Sequence, residues 1–206
     1  MTGVEPMSKL ITQTINHYPP GHIFSAHDLS GMAARNTIDQ TLLRLSKRGD
    51  IQKIAHGIFN KPKTNPLIGN VQPSAHDLIV AYGVKFGYQI QYHPAKAANM
   101  LGLSQYVTSH SVYLTDAPTK NVTLGAYTIQ LKHVCPRKLL GIGTKAGLII
   151  QSLYYFGKAQ IDDTLSAKVQ KLIDLDTADL LHTFYPDLPS WMQTILSRLG
   201  INPHVH

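Results

Sequence analysis

The sequence predicts an α+β fold. Apolar residues recur at helical spacing through most of the first sixty residues, the period shortens towards two from Ser111, and helical spacing returns beyond about residue 140. With 206 residues, 43% of them hydrophobic, the chain can bury a sizeable core in one or two domains. No apolar run approaches the roughly 18 to 20 residues that span a bilayer, so no membrane partner is expected. The opening MTGVEPMSKL lacks a basic segment followed by an apolar run, so no secretory signal is visible and a cytoplasmic location is expected. The single cysteine, Cys135, agrees, because it cannot form an intramolecular disulfide.

Taken in order, MSKLITQTINHY places Leu10, Ile11, Ile15 and Tyr18 at helical spacing until Pro19 to Gly21 stop it. HIF is a short extended stretch, and Ser25 is a good N-cap for a short second helix with Asp28 in its first turn. After the glycine turn SGM, Asn36 or Thr37 can cap a third helix that runs to Lys47 or Arg48 and ends at Gly49. DIQKIAHGIFNKPK then reads as a two-stranded hairpin turning at AHG. Helix, short strand, helix, turn, helix, hairpin is the order of a winged helix-turn-helix.

KPKTNPLIGNVQP, with three prolines and no apolar period, reads as a linker. The predicted division is therefore a winged helix-turn-helix at 1–65 and a mixed α/β C-terminal domain at 66–206. That second domain is expected to be strand-rich to about residue 135 and to end in helices. It starts with a Ser74-capped helix carrying Leu78, Ile79, Tyr82 and Phe86, then a shorter helix ending at Gly102. SVYLTD and NVTLGAYTIQLKHV follow as strands. Met100, Leu101 and Leu103 are expected in the core, as are Tyr154, Tyr155 and Phe156 with one member exposed.

The charge is distributed unevenly. Residues 1–65 carry eight Lys and Arg against four acids, 66–158 carry eight against two, and 159–206 carry three against six. A basic body before an acidic tail favours an anionic partner, nucleic acid first. Glu5 is the only glutamate, which removes mechanisms needing a Glu base in the body of the chain.

In the third helix Ile38, Leu42 and Leu45 form one buried edge at about 100° per residue, and Thr37, Gln40, Arg44 and Lys47 fall opposite. A helix fits the width of the major groove, where Gln reads adenine and Arg reads guanine through paired hydrogen bonds. Gln40 and Arg44 suit base edges. Asn36 and Thr37 near the helix start suit a phosphate, and Arg35 and Thr41 lie on the same helix. Lys47, Arg48, Lys53, His56, Lys61 and Lys63 would hold the DNA backbone, fixing position without reading sequence. The same pattern also describes a solvated helix face. The flanking turn and basic hairpin favour DNA.

Lys132, Arg137, Lys138 and Lys145 form a second basic group, readable as further phosphate contacts, as a patch for an acidic protein, or as ordinary solvated surface. Asp116 with Gln130 and Lys132 loosely matches the metal-dependent nuclease arrangement, but an amide replaces the second acid and is the poorer ligand. No catalytic residue, cofactor or metal site is therefore expected. His133 and Cys135 supply only two ligands, and His204 and His206 at the tail would bind metal only incidentally. Cys135 lacks an orienting acid for nucleophilic work. LGIGTKAG has glycines before a helix without the spacing of any nucleotide-binding loop.

The stretches GHIFSAHDL, ARNTIDQTLLRLSKRGDIQKIAHGIFNKPK, AKAANMLGLSQYV, VYLTDAP and TIQLKHVCPRKL, in this order, resemble the AbiEi-type antitoxins of type IV toxin-antitoxin systems. They span most of residues 21–140. In place of a glycine after YLTD this chain has Ala117. The resemblance implies a DNA-binding N-terminal domain that represses its own operon, and a C-terminal domain that opposes a nucleotidyltransferase toxin, with or without touching it. The alternative is a stand-alone winged-helix regulator with a ligand-sensing C-terminal domain.

Overall fold

The computed structural model describes residues 7–67, 69–106 and 111–202. The mixed α+β class is as expected, and the chain divides into two compact units, Met1–Tyr88 with Thr123–Thr128, and Gln89–Val122 with Ile129–His206.

In the first unit, α1 (Met7–His17) buries Ile11 and Ile15, one turn apart, while Leu10 lies off that stripe and is exposed. β1 (Ile23–Ser25) follows. The helix expected after Ser25 does not form. Asp28 N–H donates to Ser25 O at 3.2 Å, Ser30 N–H to His27 O at 2.9 Å and Met32 N–H to Leu29 O at 3.3 Å, a run of tight i→i+3 turns. The side chains still bond as a helix start would: Ser25 N–H donates to Asp28 Oδ2 at 2.7 Å and His27 N–H to Ser25 Oγ at 3.2 Å. Gly31, at φ 90°, redirects the chain before i→i+4 bonding can propagate.

α2 (Arg35–Arg48) starts two or three residues earlier than expected, with Ala34 at its N-cap and no side chain bonded there. Its end is as expected. Gly49 takes φ 80°, its N–H donates to Ser46 O at 3.2 Å, and Asp50 N–H donates to Leu45 O at 3.0 Å. That double closure satisfies the last carbonyls and aims the chain into β2 (Gln52–Ala55) and β3 (Ile58–Asn60). These strands form an antiparallel sheet with β1 in the order β1-β3-β2. Phe24 pairs with Phe59, their rings stacked 5.9 Å apart, over a core that includes Ile15, Leu29, Ile38, Leu42 and Ile51.

The expected linker holds a strand pair among its described residues. β4 (Lys63–Asn65) and β5 (Gly69–Val71) pair antiparallel across a turn where Asn65 Oδ1 accepts from Leu67 N–H at 2.8 Å. α3 (Ala75–Phe86) is capped by Ser74 as expected, whose Oγ accepts from Asp77 N–H at 3.2 Å. It packs against β1, so the first compact unit runs to Tyr88 where the sequence places a boundary near residue 65.

β6 (Ile90–Tyr92) precedes α4 (Pro94–Met100), and β7 (Ser111–Thr115), β8 (Lys120–Leu124) and β9 (Tyr127–His133) complete a sheet ordered β6-β7-β9-β8, which belongs to the second unit apart from residues 123–128. β7 and β9 pair in parallel, from Ser111 against Ile129 to Thr115 against His133. Ala117 after β7 is buried and has no positive φ, so the glycine missing there is not required. α5 (Lys145–Phe156), α6 (Asp163–Gln170), α7 (Leu175–Phe184) and α8 (Ser190–Arg198) enclose a core of Ile149, Ile150, Leu153, Leu181, Met192 and Leu196. Leu101 and Leu103 pack on it, but Met100 is 45% exposed because it falls on the outer side of α4's last turn. Tyr154, Tyr155 and Phe156 are all half-buried, with none fully exposed. Among the described residues no helix is long and apolar enough to cross a membrane.

Candidate nucleic-acid interface

α2 separates its faces as the spacing requires. Ile38, Leu42 and Leu45 are buried, and Asn36, Asp39, Gln40, Leu43, Arg44 and Lys47 are exposed opposite them. Thr41 belongs to the wrong side for its expected role: at 3% exposure it lies between Ile38 and Leu45 on the buried face and meets only the floor of the depression that Gln40 and Arg44 also line. Thr37 is half-buried and, with Ser8 of α1, Gln40 and Arg44, lines a polar depression of about 360 Å³.

The charges expected on this surface divide into paired and open. Arg35 Nε lies 2.9 Å from Asp39, one turn along, and Arg48 lies 2.8 Å from Asp50. Lys61 is half-buried and engaged: its Nζ donates to Asn16 O at 2.6 Å and Tyr18 O at 2.7 Å, so it ties the end of α1 to the sheet. Among the described residues Arg44, Lys47 and Lys53 have no ion-pair partner, and His56 and Lys63 are exposed. The first turn of α2 carries no acid, and its N-cap supplies no side-chain acceptor, so the positive end of the helix is uncompensated.

Between α2 and the β2–β3 hairpin runs a groove of about 320 Å³, with Arg35, Asp39, Leu43 and Ser46 on one wall and Lys53, His56, Gly57 and Phe59 on the other. Two residues here escape the sequence reading. Leu43 is 55% exposed in the middle of a polar face, and its place two residues before Leu45 already sets it off the apolar stripe. Lys85 of α3 donates to His56 O at the hairpin turn, and its ammonium lies 4.9 Å from the centre of the Phe86 ring. Gly57 makes room for it, since a Cβ there would come within 2.9 Å of Lys85 Nζ. Burial, then the nearby Arg35 charge, pushes the Lys85 pKa below its ordinary range. No local signal marks Lys85, because the contact spans 29 residues.

The remaining candidates are dispersed. Lys132 lies on β9, Arg137 and Lys138 on a short 3-10 helix, and Lys145 on α5. Lys138 sits 5.7 Å from the centre of the Tyr154 ring, and Lys145 donates to Asp174 at 2.8 Å. Asp116 accepts from Gln89 N–H at 2.9 Å. In the β7–β9 register Gln130 faces Val112, four residues before Asp116, or about 13 Å along the strand, so the nuclease-like trio is not assembled. His133 Nδ1 lies 3.1 Å from both Asp116 O and Ala117 O, while Cys135 is exposed. Among the described residues no group of three His, Cys, Asp or Glu is placed to hold a metal, and His204 and His206 lie outside them.

LGIGTKAG serves packing. Thr144 caps α5 by accepting from Gly147 N–H at 3.0 Å and donates to Gly141 O at 2.7 Å. Gly141 and Gly147 touch so closely that a Cβ on Gly147 would lie 1.9 Å from Gly141 O.

The chain belongs to DUF6088, a family of unknown function whose model matches residues 10–181. Among solved structures it is similar to the crystal structure of the RV2827C protein from Mycobacterium tuberculosis, at 13% identity and a TM-score of 0.42, over 97% of this chain and 82% of that one. No curated protein matches it.

Proposed function

We propose that the first unit is a winged helix-turn-helix, with α2 as reading helix and the β2–β3 hairpin as wing, and that it binds double-stranded operator DNA. The observation that carries this reading is the opposition, on α2, of the buried Ile38, Leu42 and Leu45 edge to the exposed Gln40, Arg44 and Lys47 face, followed directly by a hairpin bearing Lys53 and His56. Gln40 and Arg44 read base edges in the major groove. Lys47, Lys53, His56 and Lys63 hold phosphates, and the uncapped start of α2 at Asn36 takes another. Arg35 and Arg48 contribute less, since Asp39 and Asp50 offset their charge.

The whole chain is proposed to be a cytoplasmic autorepressor that acts as the antitoxin of an AbiEi-type system and needs no cofactor. Occupancy of the promoter excludes polymerase, and this alone limits toxin expression. Direct contact with a nucleotidyltransferase toxin is a separate route, resolved by co-purification. An adjacent nucleotidyltransferase gene supports the antitoxin reading, and its absence leaves the stand-alone regulator.

The deciding experiment titrates the protein against its own upstream DNA at two salt concentrations. Affinity is expected to fall steeply with salt and to drop further with Arg44→Ala. Affinity indifferent to both sinks the proposal.

A further inference from the structure

Leu43 is an aliphatic side chain that the fold leaves more than half uncovered. It is 55% exposed and lies about 160° around α2 from the buried Leu45. Its neighbours one turn away are Asp39 and Gln40 on one side and Ser46 and Lys47 on the other, so it is the centre of the polar face and not the margin of the apolar stripe. Rotation inward is closed to it, because the helix is already fixed by Ile38, Leu42 and Leu45.

The surroundings specify what can cover it. Arg44 and Lys47 flank it without ion-pair partners among the described residues, and Lys53 faces it across the groove. A polyanion satisfies that ring of charge, yet an aliphatic group at its centre needs an apolar contact within the polyanion. In the major groove the C5-methyl of thymine is the apolar feature on the base edges. Gln40, three residues away on the same face, suits an adenine in a neighbouring pair.

We propose that Leu43 is a specificity-determining residue that packs on a thymine methyl, so that the DNA site holds an A·T pair opposite the middle of α2. This rests on the DNA-binding reading above. A leucine reads that methyl and no hydrogen-bonding pattern, so it distinguishes thymine from uracil as sharply as from any other base.

The test uses the duplex that the protein protects within its own upstream DNA, with each thymine replaced singly by deoxyuridine, which removes only the methyl group. One position is expected to weaken binding by the full-length protein about fourfold, the equivalent of one buried methyl. Leu43→Ala is expected to bind the unmodified duplex about fourfold or more weakly and to ignore uridine at that position. Alanine favours the helix, and unchanged thermal melting verifies that the variant is folded. If the wild type tolerates every uridine, or Leu43→Ala keeps the same sensitivity, the role of Leu43 is overturned while DNA binding stands. If no duplex is preferred at all, the DNA-binding reading fails and takes this inference with it.

Discussion

The stretch from Arg35 to Lys63 and the stretch from Lys132 to Lys145 are both basic, and they differ in what supports the charge. In the first, Gln40, Arg44 and Lys47 stand on one helix whose other side is locked into the core, so their spacing is fixed by 1.5 Å per residue along a single axis. In the second, a strand, a 3-10 helix and an α-helix each contribute, and an aromatic ring or a carboxylate holds Lys138 and Lys145. Charge density alone does not make a reading surface. Only the first stretch has a common rigid support.

The largest effect falls on the support of the second stretch. Gly147→Ala forces a methyl into the Gly141 carbonyl, where backbone meets backbone and neither can rotate away. A loss of about 3 kcal/mol or more is expected, a fall in Tm of about 6 to 12 °C, read by thermal melting. A melting curve unchanged by the substitution would mean that the two segments are not held together as described.

Next comes the contrast itself. Under the DNA-binding proposal Arg44→Ala is expected to weaken operator affinity by roughly tenfold to a hundredfold, the value of a base-edge pair. The double change Arg137→Ala with Lys138→Ala is expected to cost less than about fivefold. Fluorescence anisotropy on one duplex compares them, and equal losses would erase the distinction between the stretches.

A smaller effect belongs to Lys85. Replacing it with Met removes the donor to His56 O and frees the hairpin turn, at a cost of about 1 kcal/mol. Amide hydrogen exchange around His56 and Gly57 is expected to rise by about fivefold while α2 stays protected. Exchange spread evenly over the first unit would instead assign Lys85 a general packing role.

The smallest concerns Asp174, which is exposed. Its hydrogen bonds to the Lys145 ammonium and to Thr177 hold its carboxyl far below the ordinary carboxylate range. Because the folded pKa is lowered, the stabilisation is full above about pH 4, the unfolded value, and is lost as pH falls further. The Tm difference between wild type and Asp174→Ala is therefore expected near neutral pH and to shrink in acid. A difference that grows in acid would reverse the sign of this coupling.

Much of this was legible in the residues. The Ile38, Leu42 and Leu45 spacing gives the face of α2, Gly49 its end, and Ser74 the start of α3. What escaped has physical causes. The run after Ser25 carries the side-chain bonds of a helix start, yet Gly31 follows too soon for a helix to grow. The prolines of residues 61–73 hid a short strand pair, since Pro62 and Pro66 flank the bonded residues without removing a ladder donor. Thr41 looks polar in sequence and is buried by its angle, and Lys85 reaches its partner through tertiary packing alone.

Lys61 carries a warning for anyone mapping this surface by alanine scanning. Its ammonium gathers two carbonyls at the end of α1, so Lys61→Ala would loosen the helix that backs α2. Weaker binding by that variant would then report a displaced scaffold and be scored as a lost phosphate contact. A scan that records melting temperature beside affinity separates the two, and Lys61 is where the correction matters most.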